Sequence, residues 1–371
     1  MRILHLTDHY PPVLGGIETH VAALAHHQAG RGDDVTVLTS TSSTADGQHL
    51  DDAGPVTVRR VRSVVEGRAV DFGCFDVVHA HISVVAPFSA PLAALVARRG
   101  VPTIVTVHSL WNGMGPIPAA AASITGLRTA PVMWSAVSRV AADQLGRRLP
   151  QETQVRVLPN AVEVAARRRT PSPRSDRSVR LVSTMRIARR KRPLQLLRMF
   201  ESLRRSVSVP VELTIVGDGP LRARLEQHLR RAGLTNAVTV TGRVDPSAVL
   251  GVLAESDLYV APAVLESFGL AALEARCVGL PVVGHAASGM TEFVRDGVEG
   301  ALCRSDADMV SRLQGLVVDG ALRQTISEHN RTVSSPLTWA NTLNHHDAAY
   351  ALACPARPTS SAKPLGSVAR G

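Results

Sequence analysis

Leu258-Tyr-Val-Ala-Pro-Ala-Val-Leu-Glu-Ser-Phe-Gly-Leu-Ala-Ala-Leu-Glu-Ala-Arg-Cys-Val-Gly-Leu-Pro-Val-Val-Gly284 reads as strand, helix and strand in succession. The flanks Leu258–Ala261 and Pro281–Gly284 are short β-type runs beside turn residues, and Phe268–Val278 has a helical pattern with Leu270 and Leu273 on its apolar face. A crossover helix between two strands implies a parallel sheet.

Working outward, the same alternation recurs on both sides. Ahead of this stretch, Val179–Ser183, Glu212–Val216 and Ala237–Thr241 read as strands. Helices at Arg192–Ser206, Pro220–Ala232 and Ser247–Glu255 are interleaved with them. In the first half, Arg2–Leu6, Asp34–Thr39, Val56–Val61, Asp76–Ala80 and Thr103–Val107 read as strands, separated by helices such as Ile17–Gly30 and Pro91–Arg99, and Ala136–Ser138 and Val155–Leu158 extend the series. Residues 166–178 are rich in Arg, Ser and Pro without an apolar period, the composition of a linker. The expected fold is α/β: two doubly wound domains, 1–165 and 179–335, facing across a cleft. Ligands of such sheets bind beyond the carboxyl ends of the strands. Residues 354–371, poor in apolar side chains, are expected to form a disordered tail.

Composition narrows the classes. The chain has 371 residues, 45% hydrophobic and 19% charged, which suits two globular domains. Aromatics at 3% are too sparse for a base-stacking surface, and nucleic acid is not an expected partner. The formal charge of +10 gathers in runs, of which Arg59–Arg68 is more commonly a solvated linker but mildly favours peripheral contact with an anionic membrane surface. Cys74, Cys277, Cys303 and Cys354 lie far apart without a Cys-x-x-Cys pair, so neither a zinc scaffold nor a disulfide framework is expected, and a reducing cytoplasm fits. Met1–Leu6 is too short for a signal peptide, and Val84–Ala97 is too short to span a bilayer.

The candidate chemistry sits in loops after strands. Glu266 falls just before the N-terminus of the helix, where free backbone N–H groups attract anions, and Glu274 lies almost two turns inside it. One acid suits a sugar ring and the other a ribose diol. The plainer alternative is that Glu266 caps the helix while Glu274 pairs with Arg276. Gly15-Gly16 opens a helix and either lets backbone approach a phosphate or is a plain tight turn. Arg186 and Lys191 follow a strand, and two cations there would neutralise a leaving diphosphate without a metal, although on the residues alone a solvated basic surface is the stronger reading. Val216-Gly217-Asp218-Gly219-Pro220 lacks the full dinucleotide fingerprint because Arg222 stands at its last position. Gly242-Arg243 closes another strand and suits a place beside a base. Gly289 and Glu292 form a further loop. His108 ends a strand. His79 and His81 are a poor zinc pair for want of a third ligand nearby, and Asp306-Ala-Asp308 reads as a helix start after Ser305 rather than a metal motif. No metal is expected.

Taken together, these pieces resemble the retaining nucleotide-sugar glycosyltransferases of the GT-B fold, the family-4-like group that contains sucrose synthases and bacterial phosphatidylinositol mannosyltransferases. The resemblance is carried in order by Pro11-Pro-x-x-Gly-Gly-Ile-Glu18, Asp76-Val-Val-His-Ala-His81, Thr106-Val-His108, Leu158-Pro-Asn160-Ala-Val162, Arg186 with Lys191, Gly217-Asp-Gly-Pro220, the Glu266/Glu274 pair, Gly289-Met-Thr-Glu292 and Asp296-Gly-Val298. Trp339 and Tyr350 match the final helix, 336–353, which in this group crosses back to the N-terminal domain. The resemblance implies two Rossmann-like domains, the first for the acceptor and the second for the donor. It also implies metal-independent transfer of a hexose from a UDP- or GDP-sugar, with retention, to a hydroxyl of a lipid, glycan or small natural product. The donor is then a co-substrate and no cofactor is implied. Arg186 and Lys191 would bind the diphosphate, Gly15 and Gly16 approach a phosphate oxygen, and Glu274 hold the ribose. Glu266 and His108 would hold and orient the sugar, and Gly217, Gly242, Arg243, Phe268, Gly269 and Leu270 complete the nucleotide side. Two positions depart from the pattern, Met185 and Arg192 each standing where the group has Gly. A catalytically silent sugar or polyanion binder and a sugar-nucleotide epimerase of the same fold stay open as alternatives. Residues 110–127 are expected beside the acceptor.

Overall fold

A computed structural model of the chain describes residues 1–13, 15–42, 54–110, 125–163 and 178–354. Two all-parallel sheets organise it. The first contains β1 (Arg2–Thr7), β2 (Asp34–Thr39), β3 (Val56–Arg60), β4 (Val77–Ile82), β5 (Thr103–Val107), β6 (Met133–Ala136) and β7 (Val155–Val157), in the order β3-β2-β1-β4-β5-β6-β7. The second contains β8 (Val179–Thr184), β9 (Val211–Val216), β10 (Val238–Gly242), β11 (Leu258–Ala261), β12 (Val282–His285) and β13 (Gly300–Cys303), ordered β10-β9-β8-β11-β12-β13. Each order reverses once, between β1 and β4 and between β8 and β11. The loops after these strands therefore border a crevice in each domain.

The inner strands β4 and β5 are buried along their whole length because helices cover both faces. β4, Val-Val-His-Ala-His-Ile, has no exposed residue, so its two histidines are core residues. Helices α1 (Gly16–Gly30), α2 (Val64–Gly67), α3 (Ser89–Arg98) and α4 (Arg139–Gly146) belong to the first sheet. Around the second lie α5 (Pro193–Ser206), α6 (Arg222–Arg231), α7 (Pro246–Ala254), α8 (Leu270–Val278), α9 (Asp306–Val318) and α10 (Gly320–Thr332). The last helix, α11 (Trp339–Ala353), packs on α1 of the first domain. Trp339 stacks on His27 with centroids 4.5 Å apart, Arg31 makes paired bonds to Asp347 at 2.8 and 2.9 Å, and Gln28 donates to the buried Tyr350 hydroxyl.

Several elements differ from expectation for local reasons. The strand expected at Ala136–Ser138 is Met133–Ala136 instead, because Ser138 caps α4, its hydroxyl accepting from Ala141 N. The helix expected from Phe268 starts at Leu270, since Gly269 adopts φ 95° as its N-cap. β13 and α4 give weak sequence signals and were not expected. The linker lies outside the described residues except for Ser178, as does the tail except for Cys354, which ends α11. Of the stretch 110–127, residues 111–124 lie outside them too. No helix among the described residues is long and apolar enough to cross a membrane.

Candidate active site

After β8 the chain turns through Met185–Lys191 into α5. This loop lies directly on the turn after β9: a Cβ at Gly217, whose φ is 137°, would stand 2.0 Å from the Met185 carbonyl, so no other residue fits there. Ile187 N donates to Asp218 O at 2.8 Å, fixing the two loops together and with them Arg186. Met185 needs no glycine geometry, and its side chain is buried in the core of the second domain. Arg192 does adopt the left-handed conformation, φ 56°, the one non-glycine among the described residues to do so. Its guanidinium makes a bidentate pair with Asp306 at 2.8 and 2.6 Å and donates to Pro262 O at 2.9 Å, contacts that offset the backbone cost. Asp306 is thereby spent on Arg192 at the start of α9, with Ser305 as its N-cap, in agreement with the reading as a helix start.

The loop after β11 carries Glu266. Lys191 Nζ donates to its carboxylate at 2.5 Å, and its backbone carbonyl accepts from Gly289 N at 2.8 Å. Glu266 therefore does not cap α8, whose N-cap is Gly269. Gly289 is needed for this approach, because a Cβ there would meet Ser267 O at 2.0 Å. Glu274 lines the cleft from the second turn of α8, and burial pushes its carboxyl up to about 7. The expected competitor for it, Arg276, points the other way and faces the buried Glu299 at 3.6 Å.

From the first domain come Gly15 and Gly16 at the start of α1, and His108 at the end of β5. Burial holds the His108 ring neutral, with its pKa down to about 3. Side chains and backbone from both domains enclose one cleft of about 990 Å³. It is lined by Gly15, Gly16, His108, Arg186, Lys191, Gly217, Arg243, Glu266, Phe268, Gly269, Leu270 and Glu274. Gly242 is the exception among the expected residues. It is not part of the lining, because its carbonyl accepts from Gly217 N at 3.0 Å and Arg222 lies over its α-carbon.

Other findings correct the sequence reading. A third histidine, His5 on β1, does lie beside His79 and His81, within reach of a shared ion, and this is the one such group among the described residues. Its ring nitrogens, and those of the pair, are however engaged in hydrogen bonds. Within the basic run, Arg60 donates to Thr41 O and Pro11 O and lies over Tyr10, so this one cation of the run holds backbone. Residues not anticipated include Ser267, whose hydroxyl donates to His108 O at 2.6 Å while its carbonyl accepts from Ser138 Oγ at 2.6 Å. A small polar residue beside Glu266 gives no periodic signal from which to infer a bridge between domains.

Two doubly wound domains around one cleft, with a cationic loop and two carboxylates of the second domain lining it together, are the arrangement of the GT-B class. Residues 14–166 match the family Glycosyltransferase Family 4, and residues 166–333 match Glycosyl transferases group 1. The chain belongs to the family-4-like GT-B glycosyltransferases. It is similar to the glycogen synthase of Mycobacterium tuberculosis, with 26% identity over 372 residues covering 87% of this chain and 88% of the relative. It is also similar to the 2-deoxystreptamine N-acetyl-D-glucosaminyltransferase of Streptomyces fradiae, with 27% identity covering 90% and 91%. In fold it resembles Anabaena Alr3699/HepE in complex with UDP and glucose, with a TM-score of 0.74 at 19% identity, covering 95% of this chain and 99% of that one.

Proposed function

We propose that this glycosyltransferase moves a hexose from a UDP- or GDP-sugar to a hydroxyl of a lipid, glycan or small natural product, with retention at the anomeric carbon and without a metal. The observation that carries this reading is the convergence of Arg186, Lys191, Glu266 and Glu274 on one cleft between the two domains. Arg186 and the N–H donors that Lys191 keeps beyond its bond to Glu266 face the diphosphate. Glu274 accepts from the ribose hydroxyls, and Glu266 and His108 hold the sugar. As the bond from the anomeric carbon to the diphosphate oxygen breaks, its electron pair stays on that oxygen. The acceptor oxygen bonds the same face of the carbon, and its proton passes to the departing phosphate. The cations stabilise the charge that develops there, so no protein base is required. A structural neighbour that holds UDP and glucose supports a nucleotide-sugar donor.

The test supplies UDP- and GDP-hexoses with candidate acceptors and follows release of nucleoside diphosphate and the anomeric configuration of the product by NMR. Release should need both substrates and survive EDTA. Lys191→Ala and Arg186→Ala should each lower kcat by roughly 10²–10³-fold. An inverted product, loss of turnover on chelation, or full turnover in either variant would overturn the proposal.

A further inference from the structure

Behind His108 the first domain holds an unbroken chain of hydrogen bonds that the transfer chemistry does not use. His108 Nε2 meets His81 Nδ1 at 3.0 Å, His81 Nε2 meets His5 Nδ1 at 2.9 Å, and His5 Nε2 meets Gln28 Oε1 at 2.7 Å. On the other side of the amide, Gln28 Nε2 donates to the Tyr350 hydroxyl at 3.0 Å, which meets His79 Nδ1 at 3.0 Å. His79 Nε2 meets Thr106 Oγ1 at 2.6 Å, Thr106 meets Ser135 Oγ at 2.6 Å, and Ser135 donates to the Val105 carbonyl at 3.2 Å. None of these eight side chains is more than 6% exposed.

Burial keeps the rings neutral, lowering His5 to about 4 and holding His79 and His81 well below the usual range. A neutral imidazole has one donor nitrogen and one acceptor, and a hydroxyl has one hydrogen, so fixing the proton at any link fixes it at all of them. The Val105 carbonyl only accepts. Ser135 therefore donates to it, Thr106 to Ser135, His79 Nε2 to Thr106, and Tyr350 to His79 Nδ1. The Tyr350 oxygen is then left to accept, which is what the Gln28 amide nitrogen requires. Continuing, Gln28 Oε1 accepts from His5 Nε2, His5 Nδ1 accepts from His81 Nε2, and His81 Nδ1 accepts from His108 Nε2. Turning the amide over would set its oxygen against the Tyr350 oxygen, whose hydrogen is committed to His79, and would reverse the links from His5 to His108, so Gln28 is the control point between the two branches.

We infer that Gln28 is a positioning residue that acts through His5 and His81 to hold the proton of His108 on Nε2. Nδ1 is thereby the acceptor nitrogen for a hydroxyl hydrogen of the donor sugar. That last role rests on the proposed function, whereas the tautomer does not. The wild-type chain, labelled with ¹⁵N-histidine and assigned through His108→Gln, should show the Nε2–H pattern for His108 in long-range ¹⁵N correlation spectra. Gln28→Leu, which offers neither anchor, should convert His108 to a mixture or to Nδ1–H. It should also weaken binding of the hexose donor by about tenfold while leaving UDP or GDP alone unchanged, a split that a general loss of structure would not give. Gln28→Glu keeps an oxygen toward His5 and should keep the wild-type tautomer, which provides the check if Gln28→Leu fails to fold. An Nδ1–H signal in the wild type, an unchanged tautomer in Gln28→Leu, or a reversed one in Gln28→Glu would overturn the inference. Absence of any nucleotide-sugar binding by the wild type, with the tautomers as expected, would sink the proposed function alone.

Discussion

Glu274 carries a cost that its position in the cleft explains. Its carboxyl is pushed up to about 7 by burial, so near neutrality the folded state retains a proton that the unfolded chain has released. Stability from this group is therefore highest below the unfolded value, near 4.3, and falls as pH rises through about 7. Glu274→Gln removes that penalty: its melting temperature should exceed the wild type above pH 7 and match it below pH 4. The same change should weaken donor binding at pH 8, because an amide accepts less strongly from two hydroxyls than a carboxylate. Calorimetric melts and donor titrations at both pH values check this, and a variant that is no more stable at pH 8 would rule it out. The two acids and two cations were legible in the sequence because they fall in or just beyond loops that follow strands, in the order and spacing that the resemblance carries. Arg192 was not, because its bidentate contact to Asp306 depends on where α9 begins, more than a hundred residues away.

At the scale of elements, α8, β13 and α10 are tied by one buried acid. Glu299, 2% exposed, faces Arg276 of α8, accepts from Arg295 at 2.6 Å and meets His329 of α10 at 3.1 Å. Burial pushes its carboxyl up, but the bonds from Arg295 and His329 outweigh it and hold the pKa near 2. Because the folded value is depressed, this stabilisation is present above the unfolded value and lost as pH falls toward 2. Glu299→Ala should destabilise the second domain by roughly 3–5 kcal/mol, since Arg276 is then left buried without a counter-charge. Glu299→Gln should cost less and flatten the acid limb of a urea-stability profile between pH 4.5 and 3. A wild-type acid limb identical to that of Glu299→Gln would exclude the role. Elements with long periodic helices were readable from pattern, whereas β13, four residues long, was not. Its pairing rests on Gly300 letting the backbone approach Val282, where a Cβ would lie 1.9 Å from the carbonyl, a contact made through topology rather than composition. The histidines of β4 misled for the same reason, since His5 joins them only when β1 and β4 pair.

For the whole molecule, the alternation of strands and helices gave two domains, but not what holds them together over the cleft. That falls to apolar packing, in which Val137 and Val162 join the core of the second domain and Leu265 packs on the Leu110 cluster, and to a few polar contacts: Arg139 N donates to Glu292 at 2.6 Å, Ser138 Oγ to Ser267 O, Ser267 Oγ to His108 O, and Arg190 to Leu110 O at 2.9 Å. Each joins a loop of one domain to the other. The Glu292 contact is the charged one, a carboxylate at the N-terminus of α4, where exposed N–H groups and the helix dipole favour it. A hydrogen bond to a charged group contributes about 1.5–3 kcal/mol, so its loss shifts the balance of closed and open arrangements at least tenfold toward open. Glu292→Ala should therefore raise the donor KM by about tenfold or more and increase the radius of gyration in solution scattering. It should leave the melting temperature of each domain nearly unchanged, because neither core is touched. Ser138→Ala, which removes a neutral bond, should act in the same direction but more weakly. Saturating donor should restore the wild-type scattering profile in both variants, since a ligand that bridges the cleft favours the closed form. Scattering that is already wild-type for Glu292→Ala without donor would mean that the cleft is closed by apolar contact, such as Leu270 against Gly16, rather than by this clasp.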